Sequence, residues 1–534
     1  MTTRTPSHAP LGYWLLVLHA HLPFVRHPEH EEFLEEDWLY EAMLETYIPL
    51  LEVYEGLVRD GIAFAATMSL TPPLCEMLAD PLLQRRFSRC LGNLERLARA
   101  ELKRTKGTPY EPCAVFYDQW LRKARATFER WHHNLVAGFR HFQDLGALEV
   151  ITCTATHCIL PFCVTKEAAQ AQVRIGARNY EKHFGRAPRG IWLGECAYSD
   201  GVEEVLKDAG IRYFFMDTHG VVFGEPRPRY ANFAPVYCRN GVAAFARDME
   251  SSKQVWSSEV GYPGDPWYRE FYRDVGFDAD EEYIRPFLHK DGRRRNLGIK
   301  YHRVTGRVPL NDKQLYDPAV ARERAAEHAG NFLFNRQHQV RYLNGLMGER
   351  PPLIVSPYDA ELYGHWWFEG PWFIDFLFRK MACDQQEIRA VTAPKYLFLQ
   401  PVNQVVQPAP STWGDKGYFE VWLNGGNDWI YRHLHHAEEC MVDLVRRFKD
   451  TGPLIDRALN QAARELVLAQ SSDWAFIMTT GTMVPYAEKR TRDHVHNFQG
   501  LYMQLTENRL EEKWLAQLEA RNNIFAEMDY HAYL

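Results

Sequence analysis

Cysteine is sparse in this chain: ten residues among 534, with no CxxC pair. That excludes a disulfide scaffold and the usual paired-thiol zinc motifs. Cys153, Cys158 and Cys163 recur at intervals of five, which fits no zinc pattern, and they read as buried thiols in a reducing compartment. Positive charge is not in excess. A net charge of −7 carries no nucleic-acid footprint, and the basic run Arg293, Arg294, Arg295 sits beside Asp291 as a solvated loop. Long apolar runs are missing as well. The Tyr13–Leu18 run is too short to span a bilayer and has neither a basic leader nor a small-residue cleavage site, so a cytoplasmic protein without a membrane partner is expected. No internal repeat and no low-complexity segment occurs.

Aromatics, by contrast, are plentiful at 13 %, with 15 Trp, which points to a stacking surface beyond the core. The length allows two or three domains. Over the first four hundred residues short apolar runs alternate with longer amphipathic stretches, the βαβ pattern of a parallel sheet or barrel. The runs Tyr13–Ala20, Ile62–Ser69, Glu149–Ala155, Gly190–Leu193, Arg212–Met216, Leu353–Pro357 and Tyr396–Leu399 are the expected strands. Polar residues cluster just after them, as where a β/α barrel carries its site. Residues 80–144 read as an inserted helical subdomain and 220–349 as long loops over the barrel mouth, with helix near Pro318–Leu346. The barrel is therefore assigned to 1–79 and 145–405. Residues 406–534 are assigned to a helical domain with segments Leu434–Asp450, Leu454–Ser472 and Tyr486–Glu519.

Two acids follow apolar runs: Glu195 in IWLGECAY and Asp359 in PLIVSPYDAELYGHWW. Such a pair suits glycosidic-bond chemistry, in which one carboxylate attacks the anomeric carbon and the other acts as general acid, then base. A lone acid after a strand is ordinarily a cap or an ion-pair partner, so the neighbours matter. Trp192, Trp366 and Trp367 offer flat faces on which sugar rings stack, and His365 can donate to hydroxyls. In LHAHLP, His19 and His21 are two apart on a strand and face one way, and TATHCILP adds His157 at the same level. Three imidazoles could hold zinc or cobalt, or could hydrogen-bond sugar hydroxyls and the attacking carboxylate; neither acid has ligand spacing with them, and no metal or other cofactor is expected.

The ordered series HAHLP, ATHCILP, WLGECAY, SPYDAELYGHWWFEG and APSTWG, from Leu18 to about Asp473, resembles the alpha-glucan branching enzymes of glycoside hydrolase family 57. The resemblance implies an incomplete (β/α)7 barrel with an inserted helical subdomain and a C-terminal helical domain. It implies Glu195 as nucleophile, Asp359 as general acid/base, and sugar contacts from His19, His157, Trp38, Trp413, Trp422 and Asp473. Trp38 and Trp422 also suit interface packing and Asp473 a turn cap, whereas Trp413 in a polar loop favours stacking.

Two departures from the family pattern stand out. Proline is common before the family nucleophile, and here Gly194 allows more backbone freedom. Family branching enzymes carry a mobile loop whose tip tyrosine favours branching over hydrolysis. The matching stretch is expected at Arg239–Trp256, with Ala244 and Phe245 at the tip and no tyrosine. The function expected is a retaining 1,4-alpha-glucan branching enzyme acting on amylose or glycogen, a monomer or weak homo-oligomer. The alternatives are a 4-alpha-glucanotransferase or amylase-type hydrolase, a metal-dependent deacetylase or mannosidase, and a non-catalytic glucan-binding protein.

Overall fold

In the computed structural model, which describes residues 9–257, 260–449 and 452–534, the apolar runs of the first four hundred residues become one curled sheet. Its strands are β1 Gly12–Ala20, β2 Ala66–Leu70, β3 Leu148–Cys153, β4 Gly190–Trp192, β5 Tyr213–Met216, β6 Val236–Tyr237, β7 Ala243–Ala246, β8 Leu353–Asp359 and β9 Ile388–Ala390. They run in the order β6-β7-β5-β4-β3-β2-β1-β8, with β9 beside the start of β1, and every pairing is parallel except β6 with β7. The series β7-β5-β4-β3-β2-β1-β8 is thus seven parallel strands, the incomplete (β/α)7 barrel that was expected. Its open side is bridged by backbone bonds from Leu353 to Phe233 (2.9 Å) and from Asp248 to Val355 (2.8 Å).

All nine residues of β1 are buried, as a strand covered on both faces must be. Alternate residues divide between two cores. Tyr13, Leu15 and Val17 meet Ile151, Trp192, Phe215, Phe245 and Val355 inside the barrel, while Trp14, Leu16 and Leu18 join the larger core under the helices. That outer layer includes Ile48–Arg59, Lys166–Phe184, Pro318–Met347 and Gly370–Cys383. Gly176 shows how tightly it closes: a Cβ there would stand 2.3 Å from the Cys153 carbonyl oxygen. Between β2 and β3 the helices Pro81–Arg104 and Glu111–Arg130 pack together, and after β9 come Tyr431–Arg447, Pro453–Ala469, Ser472–Thr480, Val484–Thr506 and Glu512–Arg521. The first two expected C-terminal segments are recognisable with shifted ends, whereas the third divides into Val484–Thr506 and Glu512–Arg521 and Ser472–Thr480 is an additional helix. Asp450, at the end of the first, lies outside the described residues. Among the described residues no helix is long and apolar enough to cross a membrane.

Two expectations are corrected. Tyr396–Leu399 belongs to the helix Ala393–Leu399, which opens with Pro394 in its first turn, a position that suits helix initiation. The strands β6, β7 and β9 are missing from the expected set, and the one that completes the seven is β7, in the middle of the expected mobile loop. Its sequence AAFA has little β propensity, and it is a strand because β5 pairs with it in parallel. Ala244 packs towards the helices among Ile191, Phe214 and Val236. Phe245 faces the barrel interior with its ring 5.6 Å from that of Phe215. Neither is a loop tip, so the argument from a missing tyrosine at Ala244 or Phe245 falls.

Because Ala244 is fully buried, Ala244→Tyr has no space for its ring. It should cost on the order of 3 kcal/mol of stability by overpacking, read as a large fall in melting temperature. A variant as stable as the wild type would contradict the strand.

Candidate active site

The sheet delivers polar residues to the C-terminal ends of its strands, the end at which barrels carry their chemistry. His19 is the penultimate residue of β1 and is paired in register with Ser69 of β2 on one side and Asp359 of β8 on the other. His157 follows β3 and Glu195 follows β4. Both adopt the left-handed backbone region, at φ 61° and φ 58°, which costs on the order of 1–3 kcal/mol for a residue with a Cβ. The turn at Glu195 is held by what packs behind it. A Cβ on Gly194 would stand 2.5 Å from the Cys158 carbonyl oxygen and 2.8 Å from that of His157. The glycine is therefore selected by close backbone approach and locks the nucleophile turn against the His157 turn, which corrects the expectation of added freedom.

Each oxygen of the Glu195 carboxyl has its own donor. Trp413 Nε1 donates to Oε2 at 2.9 Å and the Ser472 hydroxyl to Oε1 at 3.0 Å, and the Trp413 backbone N–H donates to the Glu195 carbonyl at 3.1 Å. His157 Nδ1 lies 2.8 Å from Ser472 Oγ and 3.5 Å from Glu195 Oε1. His19 Nε2 meets His157 Nε2 at 2.9 Å, and His19 Nδ1 meets Ser69 Oγ at 3.1 Å. His21 lies against both oxygens of Asp473, at 3.1 and 3.0 Å, and against Thr71 Oγ1 at 3.0 Å. Beyond Asp359, Glu361 accepts from the His21 backbone N–H at 3.1 Å and from the Tyr47 hydroxyl.

The charges sort themselves by environment. Burial pushes the Asp359 carboxyl well above the usual range, and the charges of Glu361 and Glu195 add to that. Burial also lifts Glu195, to about 6, with the Trp413 hydrogen bond pulling the other way. Two acids whose environments hold one protonated while the other ionises are what separate acid and nucleophile roles require. Burial alone would depress His21, but the charge and hydrogen bond of Asp473 carry it above its ordinary value. Burial likewise acts upward on Asp473, and its partner His21 overcomes that, holding it near 2. His19 and His157 are pushed well below the ordinary histidine value by burial and by neighbouring imidazoles.

The sequence profile described as glycosyl hydrolase family 57 matches residues 15–346, and one described as the C-terminal part of 1,4-alpha-glucan branching enzyme matches residues 433–533. The chain belongs to glycosyl hydrolase family 57. A 1,4-alpha-glucan branching enzyme from Thermococcus kodakarensis is 34 % identical over 96 % of this chain and 77 % of its own length. Among solved structures, the alpha-amylase AmyC from Thermotoga maritima is 45 % identical with a TM-score of 0.92, covering 98 % of this chain and 99 % of that one. The GH57-type branching enzyme from Pyrococcus horikoshii is 35 % identical with a TM-score of 0.87, covering 98 % and 97 %.

In this family 57 chain the residues singled out from sequence fall into two groups. His19, His21, His157, Glu195, Asp359, Trp413 and Asp473 gather at the barrel mouth through the contacts above. Trp192 is fully buried, with the His19 ring stacked on it at 4.7 Å and Trp413 edge-on at 4.9 Å. Trp422 is 1 % exposed, packed where a Cβ on Gly414 would meet it at 2.6 Å. Neither has a free face for a sugar, which corrects the stacking expected of Trp192 and favours the packing alternative at Trp422. Trp367 is buried too. Trp38 packs edge-on against Tyr486 at 5.9 Å. His365 is bonded through Nδ1 to Glu45 at 3.0 Å, and Trp366, 55 % exposed, stacks on Phe271 at 4.6 Å. Ser472, Ser69 and Glu361 were not singled out. Serines carry no pattern in a sequence, although Ser472 stands beside Asp473 and Glu361 two residues after Asp359.

Ring and carboxylate atoms of His21, His157 and Asp473 lie within 4.8 Å of one another, so the metal alternative has a geometric test. The two rings are stacked, 3.9 Å apart and 14° from parallel. An imidazole binds a metal along a lone pair in its own plane, so stacked rings aim past a common point, and Asp473 is already spent on His21. The trio fits a hydrogen-bonded ion pair better than a metal centre.

Gly194→Ala should displace the nucleophile turn from the His157–Cys158 backbone. Turnover should drop at least about tenfold, since misplacement of a reacting group by a fraction of an ångström is felt at that scale; initial rates on amylose check it. Wild-type rates would show that the turn tolerates the shift.

Proposed function

We propose that this chain is a retaining 1,4-alpha-glucan branching enzyme of glycogen metabolism, working in the cytoplasm without a metal or other cofactor. The observation that carries the reading is the pairing of a doubly hydrogen-bonded Glu195 carboxylate with Asp359, which burial and the neighbouring acids keep protonated. A Glu195 oxygen attacks C1 of the donor sugar, the C1–O4 bond breaks, and O4 leaves with the proton of Asp359. The acceptor O6 then gives its proton to Asp359 and attacks C1 of the glycosyl ester, which frees Glu195. The division into a barrel (1–79 and 145–405), an inserted helical subdomain (80–144) and a C-terminal helical domain (406–534) belongs to the same proposal.

A second reading has its own support. The alpha-amylase AmyC is 45 % identical to this chain, and hydrolysis differs only in that water rather than a sugar hydroxyl takes the glycosyl group. Incubation with amylose decides between them. Branching produces the α-1,6 anomeric proton signal with few new reducing ends, whereas reducing ends without that signal would mean hydrolysis.

Glu195→Gln should fold normally and lose several orders of magnitude of turnover, because an amide cannot form the ester. Retention of more than about a tenth of the activity would refute the nucleophile. With an activated donor, Asp359→Ala should still cleave and should be rescued by azide as an external nucleophile. Rates should fall as pH drops through about 6, where Glu195 takes up its proton, and fall again on the alkaline side as Asp359 loses the proton that burial has retained. Dialysis against EDTA should leave turnover unchanged; loss restored by zinc would favour the metal-dependent alternative.

A further inference from the structure

We infer that Ser472 is a positioning residue of the glycosyl-transfer step, the last link of a one-way hydrogen-bond chain running Ser69, His19, His157, Ser472, Glu195 that fixes the attacking carboxylate. This rests on the reading of Glu195 as nucleophile and goes beyond it by assigning a residue and a proton arrangement.

The direction of the chain follows from counting protons. An ionised carboxylate only accepts, so the Ser472 hydroxyl spends its single proton on Glu195 Oε1, 3.0 Å away. At its 2.8 Å contact with His157 Nδ1, Ser472 must then accept, which puts the His157 proton on Nδ1. His157 is buried and neutral, so its Nε2 carries a lone pair. The 2.9 Å contact with His19 Nε2 therefore needs the proton of His19. His19 is neutral as well, and its remaining nitrogen, Nδ1, accepts from the Ser69 hydroxyl at 3.1 Å. With an ionised carboxylate at one end and two neutral imidazoles between, every link has one solution.

The frame makes the chain rigid. Ser69 and His19 are register partners on neighbouring strands. Ser472 also meets the His157 turn through its backbone N–H, which donates to the His157 carbonyl at 3.4 Å. It begins the helix Ser472–Thr480 and is 4 % exposed. The groups facing Glu195 come from every side: Trp413 from its loop, His21 after β1, His157 after β3, Asp359 at the end of β8, Asp473 beside Ser472. Asp473 opposes ionisation of Glu195, while His21 and the donors Trp413 and Ser472 favour it. Ser472 is the donor that reaches Oε1. Without it one oxygen loses its anchor, and the carboxylate becomes both less fixed and harder to ionise.

Three variants of the full chain test this on amylose, with Glu195→Gln alongside and thermal unfolding as the control for folding. Ser472→Ala should lower kcat about tenfold with little change in KM. It should also move the acidic limb of the kcat/KM profile up by about one pH unit, the size of shift expected when a carboxylate loses one donor. Ser472→Thr keeps the hydroxyl and should return the limb to its wild-type position. An unmoved limb in Ser472→Ala, or a shared displaced limb in a folded Ser472→Thr, would overturn the inference while an inactive Glu195→Gln leaves the nucleophile standing. Activity in Glu195→Gln would instead remove the reading on which the inference rests.

Discussion

An ionised carboxylate has to be kept at the mouth of an apolar barrel, and most of what surrounds Glu195 answers that demand. Burial alone drives the group towards neutrality. The fold opposes this with donors drawn from segments far apart in sequence: Trp413, more than two hundred residues downstream, and Ser472, further still. Neither donor lies on a barrel strand. The C-terminal region is therefore a structural part of the nucleophile site.

The docking of that region is largely apolar, with Ile159 and Ala197 packed against Trp422, Ile430, Leu434 and Ala475, and it carries an ion pair at the site. Asp473 would add a further charge beside Glu195 and Asp359 if it stood alone. Paired with His21 it becomes half of an ion pair that ties the chain just after β1 to the helix Ser472–Thr480. Breaking one partner of such a buried pair leaves the other unpaired, which costs far more than the pair contributes. His21 thus neutralises an acid that the site cannot ionise freely, and its backbone N–H holds Glu361 on the other flank. The two histidines two apart at one strand end, legible as a pair in HAHLP, turn out to do different work: His21 is paired with Asp473, which raises its affinity for a proton, and His19 belongs to the hydrogen-bond chain.

What could be read from the sequence was whatever leaves a local pattern. Strands buried on both faces appear as unbroken apolar runs, so β1 and β8 stood out. AAFA in β7 did not, because alanine is compatible with any buried element and only its pairing with β5 makes it a strand. Tyr396–Leu399 misled for the opposite reason, since four bulky residues in a row fit a helix turn as well as a strand. At the site the acids were legible from their place after strands, whereas the neighbours that set their chemistry were not. Tryptophans were read as sugar platforms because the ring suits both tasks, and burial alone separates Trp192 and Trp422, which fill space, from Trp366, which is open. Gly194 was read as freedom when its meaning is contact. A glycine demanded by an approaching backbone looks the same in sequence as one that is merely tolerated.

The choice between branching and hydrolysis then moves to a different part of the molecule from the one the sequence indicated. Once β7 is a buried strand, nothing at Ala244 or Phe245 can gate water from the glycosyl ester. On the proposed mechanism the acceptor must present O6 to Asp359, so the surface that selects it lies on the β8 side of the mouth. The chain just beyond Asp359 carries His365, anchored to Glu45, and next to it the exposed Trp366 stacked on Phe271. An open indole backed by a second ring offers an apolar face of sugar size close in sequence to the acid/base.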